Sequence, residues 1–269
     1  MFLETVDQFA ATAVGKAAFV RRSPLGFWIS SMMAGAYVGL GIILIFCVGA
    51  NVDPSIRPIV MGASFGIALT LVIFAGSDLF TGHTMFMTLG WLRRRTSLRD
   101  LAVAWAGSWA GNLAGATVLA AIFVAGGGGL ALGAKSQLLI NVAAAKMNAP
   151  AIELLARAIL CNWLVCLAIW TAARMTNDTA KCFSIFWCLY AFIASGFEHS
   201  VANMTLFSIA LMAEHPANVT FAGMGWNLLW VTIGNIIGGA GIMGLGYWLA
   251  SRRPAAGEPA RRRLAAAAE

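Results

Sequence analysis

The chain has 269 residues, of which 60% are hydrophobic and only 11% charged, with a mean hydropathy of +0.80. Soluble globular chains carry about 25% charged and about 45–50% apolar residues, so this composition excludes a water-soluble domain and makes lipid the natural solvent. The net charge of +7 follows from where the arginines sit relative to the membrane, and no nucleic-acid partner is expected.

The amino terminus places Glu4 and Asp7 where a secretory signal would place lysines, and no small-residue cleavage site follows. The first hydrophobic span is therefore expected to stay in the mature protein. Over residues 1–25, Phe2, Val6, Phe9, Ala13 and Val20 share one helical stripe, while Glu4, Asp7 and Lys16 fall off it. This pattern predicts an amphipathic helix on the cytoplasmic membrane face or packed under the bundle.

Residues 26–250 form the expected transmembrane domain. Apolar runs at 27–48, 102–125, 152–173 and 221–250 each reach the ~20 residues a helix needs to cross the hydrocarbon. Two further regions, 58–92 and 182–212, are too long for one span. Polar residues interrupt each in its middle: Gly76-Ser77-Asp78-Leu79-Phe80-Thr81-Gly82-His83 and Ser195-Gly196-Phe197-Glu198-His199-Ser200. Backbone that leaves the helix at membrane depth survives only where protein or a water-filled cavity surrounds it, so both breaks should face inward. A glycine two residues before each carboxylate allows the sharp turn. The tail, 251–269, is rich in alanine and arginine and is expected to be disordered on the cytoplasmic side.

The fold expected is thus an all-α membrane protein of six transmembrane helices, two of them broken. Lysines and arginines sort unevenly across it. Lys16, Arg21, Arg22, Arg93, Arg94, Arg95, Arg99, Arg174, Lys181, Arg252, Arg253, Arg261, Arg262 and Arg263 fall on one side, against Arg57, Lys135 and Lys146 on the other. Both termini are therefore expected in the cytoplasm, with the chain in an inner membrane. Cys47, Cys161, Cys166, Cys182 and Cys188 are odd in number, lie in apolar segments and form no Cys-x-x-Cys pair. They read as small core residues rather than a disulfide framework or metal site.

The halves share a skeleton. Gly76-x-Asp78-x4-His83 aligns with Gly196-x-Glu198-x4-Asn203; Lys16 and Lys146 precede, and Gly111-Asn112-x-x-Gly115 and Gly234-Asn235-x-x-Gly238 follow. The repeats run over about 26–125 and 150–250. Three crossings per half make the second copy inverted, which places a functional site near the midplane between the two broken helices. The glycines of the later spans, with Gly239, are read as allowing close helix packing.

The segment Gly76 to His83, the run Cys161-Asn162-Trp163-Leu164-Val165-Cys166-Leu167-Ala168 and above all Ser195 to Met204 resemble the formate/nitrite transporter family, from about Lys16 to Trp248. His83 after Thr81-Gly82 is similar to the nitrite channel branch. The resemblance implies an aquaporin-like subunit, five of which form a ring with one pore each. It implies that His199 is the central pore histidine and Thr81 its partner from the first broken helix. Lys146, Glu198 and Asn203 become one charged network behind the pore, with Lys16, Asp78 and His83 as its mirror. Phe65, Leu69, Leu79, Phe80 and Phe192 match apolar pore and gating-loop positions. His83 departs from the mirror, where a copy of Asn203 would stand.

The expected substrate is a small monovalent anion, nitrite first, with formate or hydrosulfide as the alternative within the family. A bare anion in an apolar constriction faces a large desolvation cost, so His199 is expected to assist by giving a proton or a hydrogen bond. Glu198 and Asp78 are expected either to cap the broken ends and hold the loops or to tune the site electrostatically. Arg157 is expected to snorkel or pair within the bundle, and His215 to be solvated. A neutral-solute channel of aquaporin type, which an inverted repeat of three spans also describes, is the weaker alternative, because the paired Asn-Pro-Ala signature is missing. The case for an enzyme is thin: His83, His199 and His215 are scattered, no phosphate loop or nucleophile with its base is present, and no cofactor or metal is expected.

Overall fold

The computed structural model describes residues 2–133 and 137–252. The expectation for the tail from 253 onward, and Lys135, lie outside them. Every regular element among the described residues is helical. α1 (Leu3–Arg22) is followed by α2 (Pro24–Gly49), then α3 (Arg57–Ser64), α4 (Gly66–Leu71) and a π-helical turn, π1 (Val72–Gly76). After a non-helical stretch come α5 (Phe80–Leu92) and α6 (Leu98–Ala125). The later part holds α7 (Leu138–Met147), α8 (Ala151–Ala173), α9 (Asp178–Ala194), α10 (Ser200–Met212), α11 (Phe221–Ile236), π2 (Ile237–Leu245) and α12 (Gly246–Ser251).

Local chemistry fixes where these helices start. Pro24, with its φ preset, opens α2. Ser97 and Asp100 form a reciprocal capping box on α6. The side chains of Asn177 and Thr220 cap α9 and α11. Close approach needs missing side chains: a Cβ on Gly115 would collide with the Met32 carbonyl of α2, and one on Gly238 with the Ile159 carbonyl of α8. The glycine punctuation shared by the two halves thus seats α6 against α2 and the α11–π2 helix against α8.

Five helical stretches among the described residues are long and apolar enough to cross a membrane: Pro24–Gly49, Arg57–Gly76, Leu98–Ala125, Ala151–Ala173 and Phe221–Ser251. The two long regions are divided as expected, but α5 and α10 have 13 residues each and α9 has 17. The first interruption is narrower than its polar residues suggest. Helix resumes at Phe80, so Thr81 and His83 sit inside α5, and only 77–79 lie outside helical geometry. Gly76 and Gly196 both have positive φ, 77° and 69°, a region that a side chain would strain.

The main core is shared by α2, α4–α11 and the segments between them, with Phe65, Phe80, Phe192 and Phe207 among its fully buried side chains. A second cluster, containing Val6, Phe9, Met85, Leu89 and Trp170, ties α1 to α5 and α8. Phe9 stacks on Phe86 and Trp170 at 6.1 and 5.6 Å. Burial from water of a side chain of this size is worth about 1.5–3 kcal/mol.

Candidate functional site: two broken helices and a buried histidine

A helix that starts inside a protein must find partners for its first amides. Two buried asparagines supply them in the same way. Asn112 of α6 accepts from the Phe80 N–H at 2.9 Å and donates to the carbonyls of Asp78 and Ser31 at 2.9 and 2.7 Å. Asn235 of α11 accepts from the Ser200 N–H at 2.9 Å and donates to the carbonyls of Glu198 and Ala158 at 3.0 and 2.9 Å. Each amide thus ties the broken segment to the start of the helix after it and to a neighbouring helix.

The carboxylates in the breaks, Asp78 and Glu198, are each 1% exposed, so their charge needs compensation from named partners. Asp78 Oδ1 receives Lys16 Nζ at 2.6 Å and His83 Nε2 at 3.0 Å, and Oδ2 receives the Ser30 hydroxyl at 2.6 Å. Glu198 Oε1 receives Lys146 Nζ at 2.7 Å, and Oε2 receives Asn203 Nδ2 at 2.6 Å. Asn203 also donates to Asn227, which in turn donates to the Lys146 carbonyl. Both lysines keep some exposure, 28% for Lys16 and 21% for Lys146, so each network runs from a partly wet ammonium to a buried carboxylate.

His199 lies between these networks. Its Nδ1 accepts from the Ala202 N–H at 3.1 Å, which makes it the N-cap of α10, and its Nε2 sits 3.1 Å from Thr81 Oγ1 of α5. A proton on Nδ1 would face the amide proton, so the hydrogen bonding assigns the ring proton to Nε2. Thr81 is fixed from behind: its carbonyl accepts from Thr84 Oγ1 at 2.6 Å and Asn162 Nδ2 at 3.3 Å. Two cavities meet at the imidazole. One, of about 140 Å³, holds Lys146, Asn203, Phe46 and Phe197 in its lining. The other, of only about 10 Å³, is walled by Phe65, Leu69, Leu79, Val165 and Leu189. Phe192 and His199 border both. The smaller space holds about one water. Phe65 meets Phe192 edge to face at 5.4 Å, and Phe192 stacks on His199 at 6.0 Å.

A sequence model described as formate/nitrite transporter matches residues 3–249. The chain belongs to the formate/nitrite transporter family. Among curated members, the nitrite transporter NirC of Salmonella typhimurium is 54% identical over 258 residues, covering 95% of each chain. A solved structure titled FNT family ion channel superposes with a TM-score of 0.90 at 54% identity, covering 93% of this chain and 100% of that one. A second, titled pentameric formate channel with formate bound, gives 0.72 at 25% identity, covering 84% and 96%.

This formate/nitrite transporter family chain brings together most of the residues its sequence singled out. Lys16, Asp78 and His83 form one cluster, Lys146, Glu198 and Asn203 another, and Thr81 meets His199 with Phe65, Leu69, Leu79 and Phe192 around them. Phe80 is placed differently. Its buried ring lines a groove with Trp105, Trp109 and Leu228 between α6 and α11, away from both cavities at His199. Arg157 pairs with Glu153 one turn earlier on α8 at 2.7 Å, and His215 is exposed. Sequence reasoning assigned no role to Asn112, Asn235 and Asn227. The signal for the first two is the Gly-Asn-x-x-Gly shared by both halves, whose asparagine repeats as faithfully as its glycines.

Proposed function

We propose that this chain is a transmembrane channel for a small monovalent anion, nitrite foremost, and that His199 and Thr81 hand the solute through the apolar constriction. The observation that carries the reading is the 3.1 Å contact of Thr81 Oγ1 with His199 Nε2 between a very narrow apolar space and a lysine-bearing cavity. The 54% identity to nitrite transporters over almost the full length supports nitrite.

An anion stripped of water in a space of about 10 Å³ would lose far more solvation than a few apolar contacts return. Lys146 raises the anion concentration in the outer cavity, and Glu198 and Asn203 hold it there. At the constriction, His199 offers Nε2–H and leaves the Thr81 hydroxyl proton free for the solute, so the oxyanion enters hydrogen-bonded and, once it has taken a proton from water in the lysine-bearing cavity, crosses most cheaply as the neutral acid. The imidazole acts as a neutral hydrogen-bond donor, since a second proton on Nδ1 would break the cap of α10.

The proposed topology has six crossings, with 57–92 and 178–212 each counted as one broken crossing, arranged as two inverted repeats. Matching amide, carboxylate and lysine contacts in the two halves support this arrangement. With the arginine asymmetry, α1 and the end of α12 lie on the cytoplasmic side of a bacterial inner membrane. A homopentamer is proposed from the pentameric formate channel neighbour. That neighbour's bound formate also makes formate the second reading. Competition of unlabelled formate, nitrite and hydrosulfide against labelled nitrite uptake in liposomes tests the choice. Uptake inhibited by formate far more strongly than by nitrite itself would reverse it.

A further inference from the structure

Where α1 ends and α6 begins, a cavity of about 410 Å³ combines a basic and an apolar lining. Arg21, Ser97, Arg99 and Asp100 supply the polar part, and Ala17, Val20 and Val103 the apolar part. The charges are not balanced within it. Asp100 is fully engaged, one oxygen by Arg21 and the other by the Ser97 amide and hydroxyl at 3.0 and 2.8 Å. Arg21 nevertheless leaves 60% of its side chain exposed. Arg99 is exposed and makes no ion pair among the described residues, nor do Arg22 and Arg94, whereas Arg93 is held by Asp7 at 2.7 Å. Leu98 and Val103 stay 59% and 45% exposed on α6.

A cationic pocket with an apolar wall, at the end of membrane-crossing helices, matches an amphiphile with an anionic head. A small soluble anion would use the arginines and leave the wall of Val20 and Val103 idle. We propose that this pocket is a binding site for an anionic phospholipid, with the phosphate on Arg99 and the free edge of the Arg21 guanidinium and an acyl chain along Val20 and Val103. Bidentate donation suits arginine to a phosphate, and water excluded by the lipid strengthens it. The site rests on the reading that this end of the bundle lies at the bilayer surface, but not on which solute is carried.

The test is thermal unfolding of the purified, detergent-solubilised protein, followed by tryptophan fluorescence, with phosphatidylglycerol, phosphatidylcholine or inorganic phosphate added. Phosphatidylglycerol should raise the Tm of the wild type by about 3 °C more than phosphatidylcholine does, and inorganic phosphate should not reproduce the rise. Arg99→Gln should lose at least half of that difference and Arg21→Gln/Arg99→Gln all of it, while Lys181→Gln, a charge-matched control on α9 that lies outside the pocket and pairs with Asp178, keeps it. If the double variant does not fold, Arg99→Gln alone decides. Equal shifts by the two lipids, a full shift in Arg99→Gln, or a rise with phosphate alone would overturn the proposal. Nitrite flux of Arg99→Gln in phosphatidylcholine liposomes should match the wild type, which separates failure of this site from failure of the transport reading.

Discussion

Replacing Asn235 by alanine removes the side chain that ties down the second break while leaving every pore-lining side chain unsubstituted. Three hydrogen bonds go, to the Ser200 N–H and to the carbonyls of Glu198 and Ala158. Interhelical bonds inside membrane proteins average ~0.6 kcal/mol, which sets a lower bound of about 2 kcal/mol for the three. Ala158 keeps its place in α8, but the Ser200 amide and Glu198 carbonyl become bare buried groups, and at ~1–3 kcal/mol each the cost climbs to about 6 kcal/mol. Even the lower bound corresponds to a Tm loss of about 4 °C, measurable by fluorescence-detected size exclusion after heating. Asn112→Ala removes an equivalent set of three bonds and should cost a similar amount. Flux should separate the pair: loosening the segment at Glu198 lets His199 leave Thr81, so Asn235→Ala loses more nitrite transport than Asn112→Ala. An Asn235→Ala protein with unchanged Tm and unchanged flux would refute the argument that buried amides hold the breaks.

Further expectations follow from the same contacts. Gly196→Ala, at φ 69° with nothing within 4 Å of the added methyl, should lower stability by about 1–2 kcal/mol through backbone strain alone, read as a Tm shift. Lys146→Met leaves Glu198 buried without its counter-charge, so it should destabilise by about 3 kcal/mol, and adding Glu198→Gln should recover most of that loss in a double-mutant cycle. Arg157→Ala breaks only an exposed pair one turn apart on α8; its cost should stay within about 0.5 kcal/mol, with transport unaltered.

The breaks were legible in the sequence because lipid tolerates so few reasons for a carboxylate. Asp78 and Glu198, each two residues after a glycine, could stand at membrane depth only inside a protein-lined break. The lysines were harder: Lys16 and Lys146 reach their carboxylates across 62 and 52 positions of sequence, and only the repeated order of the two halves linked them. The direction of Phe80 was not legible. It follows the resumption of helix at that very residue, which turns the ring toward α6 and α11 while its amide bonds Asn112. The π-helical stretch Ile237–Leu245 also left no mark in the apolar pattern, because a shift from four- to five-residue hydrogen bonding is set by packing. Gly239 lies within it, where a Cβ would strike the Thr84 hydroxyl and Asn162 amide behind Thr81.

Nitrite uptake into proteoliposomes by wild type and His199→Phe, each with and without an imposed pH gradient, bears most directly on how the solute passes. With a hydrogen-bond donor at the constriction and a protonated solute crossing it, wild-type uptake should rise when protons are driven in the same direction, and His199→Phe should fall at least tenfold, which is about 1.4 kcal/mol or more of lost barrier stabilisation. A His199→Phe protein that folds, assembles and moves nitrite at the wild-type rate under both conditions would contradict it.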